Sequence, residues 1–573
     1  MGLELQWLKD KEQRDMLKRG YLNEGETPEQ RFQSICDTVQ KYSNQLAKTE
    51  EAREYLKGIG ERFEGYTSKG WTSFSTPVLR SFGSEHNLPI SCNHSIIEDS
   101  IDGIYNRFYE TGILASRGAG TAVNVSDLRP IGSPIKSGGE ANSIMEWIEL
   151  YADMMSKTAQ NSQRRGFITF YCDTDHPEIM DFLDIGTERI PKDKQRFLTT
   201  VTTAVVLPTG FRQALKDGDK EKRKIFTKIL NTRKEAGFPY ILDEENANKG
   251  ICQAYIDKGM KIRNANICAE AIEYTDYEKT FACCLSSINA YHWDEIKQDP
   301  NFLFDMNILL DCVIEEYIEK GEKIPAIKAA IKFAKEHRAI GMGISSFHSY
   351  LQKNNIAFGT VPSITVNGDI FSTMRKEGDR ASKWMAKHFG EPKMLEGYGE
   401  RNTSRMAQAP KKSTSFIDGG VTMAYSEGIE PHKINYGEKM VAKVQVEWKN
   451  RELEALLQSK GKDTEEVWNS ILTHGSSVQH LEFLSEHEKN VYKLFHEISQ
   501  VDVVNLAAQR QQHIDMGQSI NLAVHPNAAP KDVIKLHLDA FDKGIKSLYY
   551  QYNLNAAQQF SQELLTCSAC EGY

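Results

Sequence analysis

The residues best suited to chemistry lie in one short run, Asn266-Ile267-Cys268-Ala269-Glu270. Asn, Cys and Glu alternate there at period two, so on a strand or extended loop all three would project from one side. A thiol can supply a hydrogen atom or proton, a carboxylate can act as general base, and an amide can orient a reactant. Taken alone the run says little, because a buried free cysteine is more often a small core residue than a catalyst. Other thiols give it company: Ser91-Cys92-Asn93 lies far upstream, and Cys283-Cys284-Leu285-Ser286-Ser287-Ile288-Asn289 follows soon after. The chain closes on Cys567-Ser568-Ala569-Cys570-Glu571-Gly572-Tyr573. A closed zinc site needs four ligands, and no second pair follows this Cys-x-x-Cys. A redox pair fits better, since two close thiols can form a disulfide and pass it on by exchange. The stretch from Tyr550 to Cys567 could reach roughly 55 Å if extended, which suits a shuttle.

These groups need a scaffold. The chain has 573 residues, 40% hydrophobic and 26% charged, with a formal net charge of -9. Those are globular values, so a sizeable core is expected. No dense Lys/Arg block marks a nucleic-acid surface. No run of about 18 apolar residues predicts a membrane span. Met1 to Asp10 lacks the order of a signal peptide, so a cytoplasmic location is expected. There the ten cysteines would be free, catalytic or metal-bound rather than structural staples.

Residues 1–70 read as a helical N-terminal domain. Phe32, Ile35, Val39, Leu46 and Tyr55 recur at helical spacing through Gln30 to Lys57, with Gly58 and Gly60 as stops. Residues 71–552 read as α/β. The short apolar runs are Ala119 to Val125, Phe167 to Cys172, Thr199 to Leu207, Phe238 to Leu242, Ala265 to Ala269, Cys283 to Ala290, Thr414 to Ile417, Ile520 to Val524 and Ser547 to Tyr552. They alternate with helix-like stretches such as Asn142 to Thr158 and Met306 to Lys320, which predicts mostly parallel strands. So many strands would overfill a small open sheet; a closed barrel is one solution and a larger open sheet another. Catalytic residues in such folds sit at strand ends and on the loops that follow. Residues 553–573 are polar and read as a mobile tail.

In their order along the chain, these segments resemble the large subunit of ribonucleotide reductase. The matching runs are Phe74 to Pro77, Ser91-Cys92, Arg117 to Gly120, Arg129 to Ile135, Asn266 to Glu270, Cys283 to Asn289, Pro410 to Ser415, Ser426 to Pro431, Leu548 to Gln551 and the terminal Cys-x-x-Cys. They span nearly the whole chain. The resemblance implies a ten-stranded α/β barrel with a finger loop through its centre, and Cys268 at the tip of that loop. The Cys268 thiyl radical would abstract the ribose 3′-hydrogen, inside a barrel that keeps water and stray donors away. Glu270 would take the 3′-hydroxyl proton, and Asn266 would orient the sugar. Cys92 and Cys283 would supply reducing equivalents and end as a disulfide. Cys567 and Cys570 would reduce it and be recharged by a thioredoxin-like or glutaredoxin-like protein. Cys284 has no place in this scheme and reads as a packing residue.

Tyr549 and Tyr550 match adjacent tyrosines that pass the radical to Cys268, although tyrosine is also a common strand residue. The radical would come from a metallocofactor in a separate small subunit; no metal or cofactor is expected on this chain itself. The run Lys411 to Ser415 offers N–H groups, hydroxyls and positive charge for substrate phosphates at a helix or turn N-terminus. Lys412, Ser413, Thr414 and Ser415, with Thr76, Ser91 and Gly120, match contacts to a ribonucleoside diphosphate. Asp99, Ser100, Arg129 and Lys136 match the site for a deoxynucleoside triphosphate or ATP effector at a homodimer interface, and Gly186 to Arg196 the loop that carries its message. Asp99 could instead cap a helix. Some large subunits carry an N-terminal ATP-sensing domain; the short stretch before Thr76 leads us to expect none here. The alternatives are an adenosylcobalamin-dependent reductase, a glycyl-radical type and a nucleotide-binding paralogue that has lost catalysis. The tyrosine pair, the terminal thiols and the full set Cys92, Cys268, Glu270 and Cys283 count against them in turn. An unrelated disulfide oxidoreductase would place its Cys-x-x-Cys in a small βαβ domain.

Overall fold

The computed structural model describes residues 3–553 apart from 86, 137, 159–165, 188, 190–199 and 442–443. A short strand, β1 (Thr72–Ser73), precedes β2 (Cys92–Ile96), β3 (Gly120–Asn124), β4 (Ile168–Asp173), β5 (Val201–Leu207) and β6 (Tyr240–Asp243). From β2 to β6 each strand pairs in parallel with the next. These strands are buried on both faces, as continuous apolar runs such as Val201 to Leu207 require. Next come β7 (Phe281–Asn289) and β8 (Ile340–Ser345), a hairpin of β9 (Tyr436–Val441) and β10 (Val444–Lys449), then β11 (Leu522–Val524), β12 (Ser547–Leu548) and β13 (Gln551–Asn553).

The second half of the sheet closes the first into a ring. β7 runs antiparallel to β1 and β2 and parallel to β8. From β8 the pairing passes through parallel bridges, Met342 to Met406 and Gln408 to Gln518. Residues 518–524 then pair with 547–553, where Tyr549 N donates to Ile520 O at 2.8 Å and β11 lies parallel to β13. β12 returns antiparallel to β6. The ring therefore has ten segments, five in each half, and the halves run antiparallel where they meet. It is the ten-stranded α/β barrel expected from the resemblance. Helices Ile101–Ser116, Ile144–Thr158, Lys220–Ala236, Phe302–Gly321, Val361–Phe389 and Gln500–Gln511 wrap it. Among the described residues no helix is long and apolar enough to cross a membrane.

The N-terminal helices Lys11–Gly20, Pro28–Leu46, Glu50–Leu56 and Ile59–Ser68 share a core with helix Phe302–Gly321. Thr27 and Gln30 cap the second of them reciprocally, with Pro28 at its first turn. Gly58, at φ 75°, does end the helical run. Gly60 does not: it lies inside the next helix, where an added Cβ would stand 3.1 Å from Cys36 O. It is a helix-crossing glycine rather than a stop.

Two strand expectations need correction, and the apolar runs also leave out β2 and β8. Ala265 to Ala269 is a turn rather than a strand, for reasons given below. Thr414 to Ile417 belongs to the helix Lys412–Gly419, whose first turn closes when Ser415 N donates to Lys411 O at 3.1 Å. β8 was hidden by its glycines. At Gly341 and Gly343 an added Cβ would meet Leu285 Cδ2 at 2.2 Å and Ala407 O at 2.6 Å, so close strand packing selects residues that weaken the strand signal.

Candidate active site

The segment from Arg263 to Ala271 crosses the barrel interior, and both halves of the wall hold it. From β3, Asn124 Nδ2 donates to Arg263 O at 3.0 Å. Asn264 Nδ2 donates to Ser95 O of β2 at 2.8 Å, and Tyr171 OH of β4 donates to Asn266 O at 2.8 Å. From the other half, Ser519 Oγ donates to Cys268 O and Ser547 Oγ to Ala269 O, both at 2.6 Å. Gly517 N donates to Glu270 O at 2.7 Å. A buried loop must satisfy its own polar backbone, and here the strands do so residue by residue.

Asn266 makes the turn. Its Oδ1 accepts from Glu270 N and Ala271 N, each at 3.0 Å, while Ala269 adopts φ 60°. Its Nδ2 donates to Glu270 Oε1 at 2.9 Å and to Cys92 Sγ at 3.0 Å. The three side chains thus converge by a tight turn instead of by strand alternation. Glu270 Oε2 also accepts from Ser519 Oγ at 3.0 Å.

Cys92 and Cys283 face each other across the β2–β7 register, and both are free thiols. Directly opposed antiparallel residues have Cα atoms roughly 4.5–5.5 Å apart, inside the range a disulfide needs. Ligand-type atoms of Cys92, Glu270 and Cys283 all lie within 4.8 Å of one another. Burial, with Cys92 and Glu270 nearby, pushes the Cys283 thiol well up, so it stays protonated. Cys284 points the other way, where its Sγ contacts Leu310 O at 3.3 Å in the outer core.

These groups floor a cleft with about 570 Å³ of empty space. Cys92, Cys268 and Glu270 line it, with Thr76 and Ser91 on one side and Lys411 to Thr414 on the other. Gly120 and Ser415 fall just outside that lining. Gly120 pairs with Cys92 on the neighbouring strand, and Ser415 Oγ donates to Lys412 O at 2.7 Å within its helix.

The family model for the ribonucleotide reductase barrel domain matches residues 90–222, 219–394 and 392–551. A Frog virus 3 (isolate Goorha) chain named as a ribonucleoside-diphosphate reductase large subunit is 31% identical, over 91% of this chain and 94% of its own length. The large subunit of Invertebrate iridescent virus 3 is 29% identical, over 93% of this chain and 92% of its own. The solved class Id ribonucleotide reductase alpha subunit of Actinobacillus ureae aligns with a TM-score of 0.86 at 38% identity, covering 99% of this chain and 100% of that one. The chain belongs to the ribonucleotide reductase large-subunit family.

In this ribonucleotide reductase fold Tyr549 and Tyr550 are buried with ring centroids 4.4 Å apart. Tyr240 of β6 contacts both, at 4.5 and 5.1 Å, and Tyr552 lies 6.4 Å beyond Tyr550. Asp99 and Arg129 pair at 2.8 Å near the start of helix Ile101–Ser116. Ser100, not Asp99, caps that helix, accepting from Gly103 N at 2.9 Å. Lys136 is exposed on the segment that follows Arg129. Cys567, Cys570 and most of Gly186 to Arg196 lie outside the described residues.

Sequence reasoning missed Tyr171, Ser519, Tyr240 and Asp418. The first three sit on strands or strand-like segments whose residue types are ordinary there, so no local signal marks them. Asp418 accepts from Ser73 Oγ at 2.5 Å and Ser345 Oγ at 3.5 Å, which only the folded chain brings together.

Proposed function

We propose that the chain is the catalytic subunit of a class I ribonucleotide reductase, reducing ribonucleoside diphosphates to 2′-deoxyribonucleoside diphosphates by thiyl-radical chemistry. The observation that carries this is that Cys92, Cys268 and Glu270 line one cleft, with Asn266 donating to both Cys92 and Glu270 and Cys283 opposite Cys92. Cys268, as a thiyl, takes the 3′-hydrogen and later returns it. Glu270 takes the 3′-hydroxyl proton. Cys92 protonates the leaving 2′-hydroxyl, which departs as water, and Cys92 with Cys283 gives up two electrons to form a disulfide. Asn266 holds Glu270 and Cys92 in mutual register. Cys567 and Cys570 reset the disulfide, served by a thioredoxin or glutaredoxin in the cytoplasm.

Tyr549 and Tyr550 deliver the radical from the metallocofactor of a separate small subunit; their ring contact suits short-range transfer. Lys412, Ser413 and Thr414 take the substrate phosphates at the start of helix Lys412–Gly419, with Thr76 and Ser91 opposite and Gly120 and Ser415 in support. Asp99, Ser100, Arg129 and Lys136 form the effector corner. Beside it Ile101, Tyr105 and Tyr109 are exposed along one helix face, which supports a homodimer interface there.

The test is reduction of a ribonucleoside diphosphate with three additions: nothing, a matching small subunit, or adenosylcobalamin. Turnover is expected with the small subunit alone. Turnover with the cobalamin alone would overturn the two-subunit reading.

A further inference from the structure

The finger loop and the effector corner meet on one short turn. After β3 the chain bends through residues 126–128, and Leu128 N donates to Val125 O at 3.1 Å. Asp127, on this turn, takes the first residue of the finger loop in a two-pronged ion pair. Arg263 Nη2 donates to Asp127 Oδ1 at 2.7 Å and Nη1 donates to Oδ2 at 3.3 Å. Such a fork fixes direction as well as distance. Tyr277 OH, past the far end of the loop, donates to the same Oδ2 at 2.9 Å. Asn124, just before the turn, already holds the Arg263 carbonyl. Both the head and the backbone of Arg263 are therefore fastened to this one piece of chain.

Two residues past Asp127 stands Arg129. Its N and Nε donate to Asp99 at 3.3 and 2.8 Å, and its Nη1 donates to Pro134 O at 3.0 Å. The chain beyond β4 braces the same turn: Asp173 N donates to Ser126 Oγ at 2.8 Å, and His176 Nε2 lies 3.0 Å from Leu128 O. A short segment bonded at every residue shifts as a unit, and coupling between sites travels through such contiguous networks.

We propose that Asp127 is a positioning residue that couples effector occupancy to the finger loop. A nucleotide engaging Asp99 and Arg129 draws the turn 126–129 into one position, and the Asp127–Arg263 pair then sets the start of the loop that carries Cys268. This rests on the effector and catalytic readings above. The route is separate from residues 186–196, to which the resemblance gives the effector's message. The effector shifts the loop only by as much as it favours the ordered turn over the loose one.

The experiment follows hydrogen–deuterium exchange of the full chain with and without dTTP, alongside dTTP binding by equilibrium dialysis. In the wild type dTTP should slow exchange at 127–136 and, by about fivefold or more, at 263–271. Asp127→Asn should still bind dTTP and keep the protection at 127–136, but lose most of that at 263–271. Asp127→Glu, which keeps the charge, should recover part of it. Tyr277→Phe, at an exposed site, removes one contact to Asp127 and should show a smaller loss of the same kind, which keeps the proposal testable if Asp127→Asn fails to fold. With the small subunit and a ribonucleoside diphosphate, the stimulation of kcat by dTTP should fall about fivefold in Asp127→Asn, while kcat without effector changes less than about twofold. Loop protection that survives in Asp127→Asn overturns the proposal, and so does a wild-type loop whose exchange ignores dTTP. Equal loss of kcat with and without dTTP would make the pair structural only, and loss of dTTP binding in Asp127→Asn would make Asp127 an effector contact; either overturns it. If the wild type binds no dTTP, the effector reading fails and takes the proposal with it. If dTTP protects the loop through Asp127 but Cys268→Ser still turns over, the catalytic reading fails and the coupling stands.

Discussion

Compare the finger loop with the rim that runs from Lys411 to Lys439. The loop is held by neutral groups: Asn124, Tyr171, Ser519 and Ser547 each donate to one of its carbonyls, and its own Asn264 donates to Ser95 O of β2. It carries Arg263 at its start, paired with Asp127, and Glu270 near its far end. The rim is built the other way. Lys433 sits 3.2 Å from both Glu427 and Glu430, and Lys439 lies 3.9 Å over the Trp448 ring. Lys433 and Lys439, with Lys412, hold Glu427 well down, at about 2. Each environment fits a different task. A thiyl radical needs a dry wall without stray donors, whereas phosphate binding needs positive charge and N–H groups near solvent. The two meet at Lys411, a buried rim lysine that lines the same cleft as Cys268 and Glu270.

The sharpest way to break this contrast is at its centre. Cys268→Ser should reduce turnover to the assay floor, at least about 10⁴-fold, as removal of a group that performs the chemistry does. Diphosphate binding, read by equilibrium dialysis, should change little, because the phosphate contacts proposed above lie on the rim. Residual turnover by Cys268→Ser would sink the thiyl mechanism. Tyr550→Phe should be nearly as severe when the small subunit supplies the radical, because phenylalanine keeps the ring but cannot give up a phenolic hydrogen. Near-normal activity would remove the tyrosine pair from the route.

Asn266→Ala comes next. It deletes the amide that turns the loop and contacts both Glu270 and Cys92. A loss of about 10²-fold in kcat is expected from misplacing groups that must act together. On the rim, Lys412→Ala should instead raise KM for the diphosphate by about tenfold with a smaller change in kcat, the pattern for losing one charge-assisted contact. If Lys412→Ala lowered kcat while KM held, rim and core would not divide the work as stated.

What was legible in the sequence follows the same division. Cys268, Glu270 and Asn266 could be picked out because three chemically useful types sit within one short run. Their geometry could not, since the turn depends on Asn266 capturing two backbone N–H groups and on a left-handed Ala269. β4 and β5 announced themselves by apolar runs, but Tyr171 and Ser519 act through partners far along the chain and look like ordinary residues locally. β8 was disguised by the glycines its packing requires. In the rim, a run of two lysines gave no hint that Lys411 would turn inward to the Ser73 carbonyl, because Ser73 lies far from it in sequence. The barrel itself became legible only when many motifs were read together as a resemblance, because strand count alone left an open sheet possible.

The smallest expected effect tests the contrast at its finest grain. Cys283 and Cys284 are neighbours on β7, so their side chains point to opposite faces. Cys283 belongs to the interior cluster with Cys268 and Tyr549, and Cys284 to the outer core under helix Phe302–Gly321. If facing decides function, Cys283→Ala should abolish multiple turnover, because Cys92 would lose the thiol it closes on. Cys284→Ala should keep kcat/KM within about twofold, since it touches no reacting group. Its cost should fall on stability instead: about 1 kcal/mol for one deleted buried heavy atom, and a melting shift of about 2 °C in a chain this long. Thermal melts and steady-state assays on the two alanine variants separate these outcomes. A Cys284→Ala enzyme that melts normally but loses turnover would show that the outer face of β7 also takes part in the chemistry, and the boundary drawn here between reacting core and packing shell would have to move outward by one residue.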